Sequence, residues 1–275
     1  MVQPVPDIGF VGTGSMGGPM VERLLSAGVA VTLFARKPEV RERFAALEAT
    51  MADSVAELAG TAGVLVLCPF SEEQVFQIMT GEGGLLRAAC PGTVIVQHAT
   101  MSAGGIRQLA EESAGLGVTE LDAPVSGRAE DIRAGRLTVL VGGEADALAR
   151  VEPLLRTYSD AIVHVGEAGA ATTAKLVSNL TFAAQVQIAG AALKLAGDLG
   201  LSESGALEAL TNCSARGFAL TTMKSVGSAD TFAQIGGPYL RKDVALAQQM
   251  AARLGVDTGL LGTTVRTAPF DLDGR

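Results

Sequence analysis

Three glycines near the start of the chain have the type and spacing that most directly imply chemistry. Gly12, Gly14 and Gly17 form a G-x-G-x-x-G pattern between the apolar run Ile8–Val11 and a stretch with helical spacing that starts at Met16. In such a strand–turn–helix the first glycine permits a tight turn, the second lets the backbone approach phosphate oxygens, and the third lets the helix pack against the strand. The N–H groups at the helix start attract negative charge. The pattern therefore predicts a site for the pyrophosphate of a dinucleotide, and the alternative is a glycine-rich turn with a structural role only.

A pair of cations follows the second predicted strand, residues 30–34. Arg36 and Lys37 stand where an acidic side chain would hold an adenine ribose hydroxyl. A basic residue at this place accepts a 2′-phosphate instead, and arginine suits phosphate because its planar fork donates two parallel hydrogen bonds. We therefore predict NADP(H) as the cofactor. The alternative is that both cations belong to a solvated loop before Pro38 and that NAD binds without an acidic clamp.

The elements that must position these residues alternate between short β-branched runs and amphipathic stretches from Asp7 to about Val165. This alternation is typical of an α/β fold with a doubly wound parallel sheet, and it predicts a Rossmann domain that binds NADP over residues 1–165. The predicted helices include residues 102–114 and 144–158. The predicted strands are residues 8–11, 30–34, 64–67, 93–97, 118–121, 137–141 and 162–165.

The sequence after Val165 has a different texture. Residues 169–197 form one run that is rich in alanine and leucine and contains no proline, and further helical stretches follow around residues 202–213 and 239–254. This pattern predicts an all-α C-terminal domain over residues 166–275. A helix of nearly thirty residues is about 40 Å long at about 1.5 Å per residue, so we expect it to join the two domains and to offer a dimer surface.

Composition argues against several classes of function. Of the 275 residues, 48% are apolar, which excludes a disordered chain, and a net charge of −8 without a Lys/Arg cluster disfavours nucleic acid as a partner. No apolar run approaches the roughly 20 residues of a membrane span, and residues 1–7 lack the features of a secretory signal, so we expect a cytoplasmic protein. Cys68, Cys90 and Cys213 are widely spaced and lie near no histidine, so neither a disulfide framework nor a metal site is predicted.

Three further segments line up in order behind the glycine run. They are DAPVSG at residues 122–127, KLVSN at residues 175–179 and KDVALA at residues 242–247. Together the four motifs resemble the β-hydroxyacid dehydrogenase family, which includes 3-hydroxyisobutyrate dehydrogenase, tartronate semialdehyde reductase and, more distantly, the phosphogluconate dehydrogenases. The resemblance covers almost the whole chain. It implies an N-terminal Rossmann domain, a helical C-terminal domain and an active site in the cleft between them.

The resemblance assigns the chemistry to Lys175. This lysine matches the family's catalytic residue, which exchanges a proton with the substrate oxygen while hydride passes between the carbinol carbon and the nicotinamide. Because a lysine at its free pKa of about 10.4 is a poor base near neutrality, the role requires burial or neighbouring cations. Asn179 lies four residues later, one helical turn away on the same face, where it would hydrogen-bond the substrate or fix the ammonium group.

The resemblance also implies a substrate site. Ser126 and the backbone N–H of Gly127 match the positions that hold the substrate carboxylate. Arg128 replaces a second glycine of the family, and its guanidinium either binds a second acidic group or points into solvent. Lys242 resembles a second lysine that borders both nicotinamide and substrate, and the alternative is an ion pair with Asp243 or another acid on the surface of a helix.

Further cofactor contacts follow from the same resemblance. Cys68 and Pro69 match a loop over the pyrophosphate, and Thr100 matches a threonine near the nicotinamide. The two histidines, His98 and His164, match nothing catalytic, and we expect them in core or loop positions. Besides Lys242, the predicted cofactor-binding residues are Gly12, Gly14, Ser15, Met16, Gly17, Arg36, Lys37, Cys68, Pro69 and Thr100.

The sequence thus predicts an NADP(H)-dependent oxidoreductase that transfers a hydride between the nicotinamide and a small β-hydroxy acid or its semialdehyde. Its partners are expected to be a small carboxylate substrate and further copies of the chain, in a homodimer or homotetramer, with neither nucleic acid nor a membrane. One alternative is an imine or other carbonyl reductase on the same scaffold. Another is a catalytically weak, NADP-binding oligomeric scaffold, because the segment after Lys242 is shorter than in the family.

Overall fold

The structure is a computed structural model that describes residues 7–267 and 269–272. The chain divides into two compact units, the first ending at Lys175 and the second beginning at Leu176. This division falls inside the long helix Ala170–Asp198, which therefore belongs to both units. Each unit has its own hydrophobic core.

The first unit contains one predominantly parallel sheet. Its strands are β1 (Ile8–Val11), β2 (Val31–Phe34), β3 (Thr50–Met51), β4 (Val64–Leu67), β5 (Val94–Gln97), β6 (Thr119–Asp122), β7 (Val125–Ser126), β8 (Leu137–Gly142) and β9 (Ser159–Gly166). Over the residues that the structure describes, the strand order is β3-β2-β1-β4-β5-β6-β8-β7, with β9 paired to β8. Strands β1 to β6 are parallel to one another, β8 runs antiparallel to β6 and β7, and β9 is parallel to β8.

Helices cover both faces of this sheet. They are α1 (Gly17–Ser26), α2 (Pro38–Ala45), α3 (Val55–Thr61), α4 (Glu72–Thr80), α5 (Ala103–Ala114), α6 (Ala129–Arg133) and α7 (Ala145–Leu155), with a short 3-10 helix at Leu85–Arg87. Residues of α1, α2, α6 and α7 form one buried cluster with the sheet. Residues of α3, α4 and α5 form another. The order 3-2-1-4-5-6 with helices on both faces is the doubly wound Rossmann arrangement, so the predicted fold class is confirmed.

The sequence-based strand predictions agree closely with the structure. Strands β1 and β4 have the predicted bounds, and the other five predicted strands differ from the observed ones by one to three residues at an end. The prediction missed β3 and β7, which are two residues long each. Such short bridges carry no measurable alternation of apolar and polar residues, so periodicity cannot reveal them.

Among its described residues the second unit contains helices and connecting loops but no strand. It comprises most of α8 (Ala170–Asp198), followed by α9 (Glu203–Asn212), α10 (Phe218–Val226), α11 (Ala229–Arg253) and α12 (Gly259–Val265). Its core contains Leu176, Val186, Met223 and Val244, all fully or almost fully buried. Helix α11 begins ten residues before the predicted start at Tyr239, because it continues through Pro238. The burial of Phe232, Gly237 and Leu240 within the core outweighs the local preference for a break.

Helix α8 departs from one expectation. By length and by a mean hydropathy of 1.3 over its most apolar window, this helix is long and apolar enough to cross a membrane. Of that window, 56% is buried inside the protein. Packing against the core of the second unit therefore accounts for much of its apolar character, and the test by length and composition is weak evidence for a membrane span.

Candidate active site

The glycine turn between β1 and α1 has no room for side chains at two of its positions. Gly12 has φ +101°, and a Cβ there would overlap the carbonyl of Cys68 and lie 2.8 Å from the nitrogen of Pro69. A Cβ on Gly17 would overlap the carbonyl oxygen of Gly12. At Gly14, by contrast, a Cβ would meet nothing within 4 Å. Gly12 and Gly17 thus allow the close backbone packing of the turn, while Gly14 leaves open space in front of the backbone.

A cavity of about 610 Å³ opens at this turn. Its size falls within the roughly 300–1,000 Å³ range of small-molecule and cofactor sites. The lining includes eight of the predicted cofactor residues and most of the adjacent turn, together with side chains from the ends of β2 and β4 and from α4. These residues are Val11, Gly12, Thr13, Gly14, Ser15, Met16, Phe34, Ala35, Arg36, Lys37, Val40, Val55, Cys68, Pro69, Phe70, Gln74, Gln77, Ile78 and Glu82.

Two cations belong to the lining of this cavity. Arg36 and Lys37 follow β2 after one residue, Ala35, and both are exposed. Among the described residues, neither side chain makes a hydrogen bond or ion pair within the protein, so both have free donors. Glu82, which follows α4, is the one acidic side chain in the described lining. The lining residues directly after β2 therefore include two cations and no carboxylate.

The wall formed by α4 was not predicted. Gln74, Gln77 and Ile78 project from this helix into the cavity lining at helical spacing, and Phe70 precedes them. Phe70 is 64% exposed, and its backbone N–H donates to the side-chain oxygen of Gln74 at 3.0 Å. The i, i+3, i+4 spacing of these residues just after Cys68 and Pro69 is a signal from which the wall could have been found.

Cys68 and Thr100 have different environments. Cys68 lies on the cavity wall, and burial raises the pKa of its thiol to about 12, so it is a neutral group at physiological pH. Thr100 is half-buried after β5 and is not among the residues that line the cavity. Its predicted place beside a nicotinamide stays a prediction.

The predicted carboxylate loop follows β6 in the first unit. Ser126 belongs to β7, where it pairs with Thr138 of β8, and it is exposed. Gly127 has φ +138°, and a Cβ there would lie 2.9 Å from Leu137, so this position requires glycine. The backbone N–H of the next residue, Arg128, donates to the side chain of Asp131 at 2.9 Å. The guanidinium of Arg128 is exposed, which leaves it accessible to an anion from solvent.

Lys175 and Asn179 lie one turn apart on α8, as predicted. Lys175 is half-buried, whereas Asn179 is 9% exposed. The side-chain amide of Asn179 donates to a carboxylate oxygen of Asp243 at 2.6 Å, and the ammonium of Lys242 lies 3.6 Å from the other oxygen of Asp243. The ion pair considered as the alternative role of Lys242 is therefore present. The contact between Asp243 and Asn179 is a feature that the sequence motifs did not indicate.

The start of α8 is anchored by a second carboxylate, which belongs to the first residue of the DAPVSG motif. Asp122, the last residue of β6, is 0% exposed. Its two oxygens accept hydrogen bonds from the backbone N–H groups of Gly169 and Thr172, at 3.0 and 2.8 Å. Burial raises the pKa of Asp122 above its ordinary value, and the N–H groups of Thr172 and Gly169 act against that shift.

Both histidines have structural surroundings. His98 is 3% exposed, and its ring nitrogens lie 2.6 Å from the carbonyl oxygen of Ala123 and 3.0 Å from the hydroxyl of Tyr158. Burial lowers the pKa of His98 to about 4. His164 contacts the carbonyl oxygen of Gly143 at 2.8 Å. Among the described residues, no group of three or more His, Cys, Asp and Glu side chains is placed to hold a metal ion.

Two family comparisons match consecutive parts of the chain. Residues 7–166 match the NAD binding domain of 6-phosphogluconate dehydrogenase, and residues 169–268 match the NAD-binding domain of NADP-dependent 3-hydroxyisobutyrate dehydrogenase. The chain belongs to the β-hydroxyacid dehydrogenase family. The resemblance carried by the four sequence motifs is thereby confirmed.

Individual β-hydroxyacid dehydrogenases and related proteins match over different lengths. An uncharacterised oxidoreductase of Mycobacterium tuberculosis is 34% identical over 196 residues, which cover 71% of this chain and 66% of that protein. The 3-hydroxyisobutyrate dehydrogenase of Pseudomonas aeruginosa is 35% identical over 190 residues, which cover 69% of this chain and 63% of that enzyme. The match thus spans slightly less than two thirds of each relative.

A solved structure of the family matches more completely. The 3-hydroxyisobutyrate dehydrogenase of Mycobacterium tuberculosis, described with L-serine, has a TM-score of 0.85 and 30% sequence identity, and the match covers 95% of this chain and 91% of that one. The cavity at the glycine turn fits the nicotinamide dinucleotide of the family, because Gly14 leaves open space for phosphate and the turn ends at the start of α1. Gly12, Gly14 and the N–H groups that follow them would hold the pyrophosphate.

Proposed function

We propose that this protein is an NADP(H)-dependent oxidoreductase that interconverts a small β-hydroxy acid and its semialdehyde, with Lys175 as the general acid and base. Membership of the β-hydroxyacid dehydrogenase family supports the reaction class. The observation that carries the cofactor choice is the joint position of the glycine turn and of Arg36 with Lys37 in the lining of one cavity.

The preference for NADP(H) rests on charge at the end of β2. NAD-specific sites place a carboxylate there to accept a hydrogen bond from the ribose, and a carboxylate would repel a 2′-phosphate. Here Ala35, Arg36 and Lys37 occupy this place, and the two cations are exposed with free donors. A phosphate bound by a guanidinium fork gains charge-assisted hydrogen bonds that a ribose hydroxyl does not provide.

A small acid as the substrate is supported by the loop after β6. The exposed Ser126 hydroxyl and the backbone at Gly127, which adopts a conformation open to close approach, suit a carboxylate. The related 3-hydroxyisobutyrate dehydrogenase of Mycobacterium tuberculosis is described with L-serine, which is itself a small β-hydroxy acid. The exposed Arg128 extends the positive character of the loop and would accept a second acidic group on a longer substrate.

In the proposed mechanism the bound nicotinamide supplies or accepts the hydride. Lys175 donates a proton to the carbonyl oxygen during reduction and removes it from the hydroxyl during oxidation. Asn179, one turn further along α8, hydrogen-bonds the substrate or the lysine, and Asp243 holds the amide of Asn179 at 2.6 Å. Lys242, within 3.6 Å of Asp243, keeps a positive charge near this carboxylate and contacts cofactor or substrate.

Self-association and a cytoplasmic location complete the proposal. Val177, Ile188 and Leu195 are 51%, 61% and 59% exposed along α8, and they form an apolar stripe that a second copy of the chain would cover. The expected assembly is a homodimer or homotetramer with a small-molecule carboxylate as substrate. Size-exclusion chromatography with light scattering measures the assembly directly.

A turnover screen tests the proposed function. Initial rates are measured with NADPH and NADH against short semialdehydes, and with NADP⁺ and NAD⁺ against the corresponding 3-hydroxy acids, with cyclic imines as the competing class. We expect turnover of a semialdehyde and 3-hydroxy acid pair, with kcat/KM at least about tenfold higher for the phosphorylated cofactor. A tenfold preference for NADH overturns the cofactor assignment. Confirmed cofactor binding without turnover of any acid or semialdehyde favours the scaffold alternative.

A further inference from the structure

The start of α8 lacks a local capping side chain. The first N–H groups of a helix have no partner within the helix, and a Ser, Thr, Asp or Asn just before it usually accepts from one of them. Here residues 166–169 are Gly-Glu-Ala-Gly, and Gly169 has φ +90°. A Cβ at Gly169 would lie 3.2 Å from the carbonyl oxygen of Ala103, so the backbone of Ala103 leaves little room for a side chain at residue 169.

The cap comes instead from the sheet. The carboxylate of Asp122 accepts from the N–H of Gly169, 47 positions later, and from that of Thr172, 50 positions later. Hydrogen bonds to an ionised acceptor are roughly twice as strong as neutral ones, and a negative charge at a helix N-terminus also interacts favourably with the helix dipole. Because two different oxygens accept from two different residues, the contact restricts both the position and the rotation of the first helical turn.

Asp122 lies in the chain between two parts of the proposed chemistry. Lys175 follows Thr172 by three residues, which corresponds to a rise of about 4.5 Å along the helix axis, or less than one turn. Ser126 follows Asp122 by four residues on the other side of the anchor. Asp122, Ser126, Thr172 and Lys175 all belong to the first unit. The fully buried carboxylate of Asp122 therefore fixes the first turn of α8, which leads to Lys175, against the end of β6, which leads to Ser126.

We infer that Asp122 is a positioning residue for the proposed proton transfer: its bidentate contact with the N-terminus of α8 sets the position of Lys175 relative to the loop at Ser126 and Gly127. This inference rests on the proposed function, because it assigns a purpose to the orientation of Lys175. A misplacement of about 1 Å in a reacting group costs on the order of 10²-fold in rate, so loss of the anchor affects the chemical step more than cofactor binding.

The test compares Asp122→Asn with two control variants of the full-length protein. Asn has nearly the same shape as Asp, but it turns an N–H donor toward one of the two backbone N–H groups and loses the charge. Ser202→Ala removes a conventional cap from α9, where the serine oxygen accepts from the N–H of Gly205 at 3.1 Å, on a helix without predicted site residues. Val151→Ala truncates a fully buried side chain in α7 and provides a comparison at reduced stability.

For each variant we would measure the melting temperature, the NADPH dissociation constant, kcat and the isotope effect on hydride transfer from deuterated NADPH. For Asp122→Asn we expect kcat to fall about 10- to 100-fold, NADPH affinity to stay within about twofold, and the isotope effect to rise as the chemical step becomes slower. Both controls should keep kcat within about twofold. If Asp122→Asn yields too little folded protein, Asp122→Glu keeps the charge but displaces it by one methylene, and the same fall in kcat is expected.

Wild-type kcat and isotope effect in Asp122→Asn, with a lowered melting temperature, would restrict Asp122 to a stabilising role and overturn the inference. Lys175→Ala distinguishes this failure from failure of the proposed function. If Lys175→Ala retains turnover, the acid–base assignment itself is wrong. If Lys175→Ala loses turnover while Asp122→Asn keeps it, only the positioning role of Asp122 is wrong.

Discussion

The glycine turn and the lysine-bearing turn of α8 are built in two different ways. The glycine turn is formed by residues that are close in sequence. Its shape requires glycine, because a Cβ at Gly12 or Gly17 would collide with backbone atoms. The turn around Lys175 depends on side chains from distant positions: Asp122 holds its start, and Asp243 holds the amide of Asn179 one turn later. A site built from local backbone can be predicted from a single sequence, whereas a site anchored by distant carboxylates can be predicted only in part.

Substitution of the lysine should have the largest effect on activity. Lys175→Ala removes the proposed acid and base, and positioned proton transfer contributes about 10²- to 10⁴-fold in rate, so we expect kcat to fall by about 10³-fold. NADPH affinity should stay within about threefold, because the cofactor cavity is lined by the first part of the chain. Stopped-flow turnover and fluorescence titration of NADPH separate the two quantities.

Lys194→Ala provides the control for Lys175→Ala. Lys194 lies on the same helix, is exposed and pairs with Asp198 one turn away, so its loss should leave kcat within about twofold. Unchanged turnover in Lys175→Ala would contradict the mechanism, and equal losses in both variants would indicate a general effect on α8.

Substitutions at the second and third glycines of the turn, Gly14 and Gly17, should separate the effect on cofactor binding from the effect on stability. Gly14→Ala places a Cβ in open space, so we expect a nearly unchanged melting temperature and an NADPH affinity about 10- to 100-fold weaker, because the methyl group occupies room needed by phosphate. Gly17→Ala collides with the carbonyl oxygen of Gly12 and should destabilise the fold as well. Thermal denaturation and NADPH titration of both variants measure the difference.

Gly104→Ala is the matched control for the glycine variants. Gly104 lies in α5, is exposed, and has nothing within 4 Å of the added Cβ. Alanine in a helix is favoured over glycine by about 1 kcal/mol, so this variant should be slightly more stable and bind NADPH normally. Normal NADPH binding by Gly14→Ala would show that the open space is not used by the cofactor.

Arg36→Ala tests the positive end of the cavity. A hydrogen bond to a charged group is worth about 1.5–3 kcal/mol, and this corresponds to about a tenfold or larger rise in KM for NADPH with little change for NADH. Arg87→Ala, at an exposed arginine outside the cavity lining, should change neither constant. Equal losses for NADPH and NADH in Arg36→Ala would assign the guanidinium to a group common to both cofactors and would remove the argument for NADP(H).

The smallest expected effect concerns the strand that carries the Asp122 anchor. Glu120 lies two residues earlier in β6, is 4% exposed, and burial together with the charge of Asp122 raises its pKa to about 8. The folded state therefore holds a proton between pH 4.5 and 8 that the unfolded state releases, and wild-type stability falls as the pH rises through this window. Glu120→Gln does not titrate, so its stability relative to wild type should increase by about 1 kcal/mol between pH 6 and pH 7.

Urea denaturation of both proteins at pH 5, 6, 7 and 8 measures this difference. His98, whose pKa is lowered to about 4 by burial, makes stability fall as the pH decreases from 6.5 toward 4, but this contribution is common to both proteins and cancels. A pH-independent difference between wild type and Glu120→Gln would show that Glu120 is ionised in the folded state.

The same contrast explains how much of the molecule could be predicted. The bounds of β1 and β4 follow from apolar runs between glycine-containing turns, and α8 was predicted at residues 169–197 and found at Ala170–Asp198. These features are local in sequence. The contact between Asn179 and Asp243 spans 64 positions, and no periodicity within a single sequence relates residues at that distance.

Helix α11 illustrates a different limit. Gly236, Gly237 and Pro238 favour a break by their intrinsic preferences, yet the helix runs through them from Ala229 to Arg253. The burial of Phe232 on one side and Leu240 on the other decides the outcome, and that burial depends on the other helices of the second unit. Local propensity is a weak guide wherever tertiary packing supplies more free energy.

The high pKa of Cys68 has a practical consequence for measuring these quantities. Alkylating reagents attack the thiolate, and a thiol with a pKa of about 12 is almost entirely protonated near neutral pH. Cys90 and Cys213 are exposed, while Cys68 lies on the wall of the cavity at the glycine turn. We therefore expect a maleimide dye to react faster with the two exposed cysteines than with Cys68. The two exposed cysteines thus offer attachment points for a fluorescent label outside the lining of this cavity.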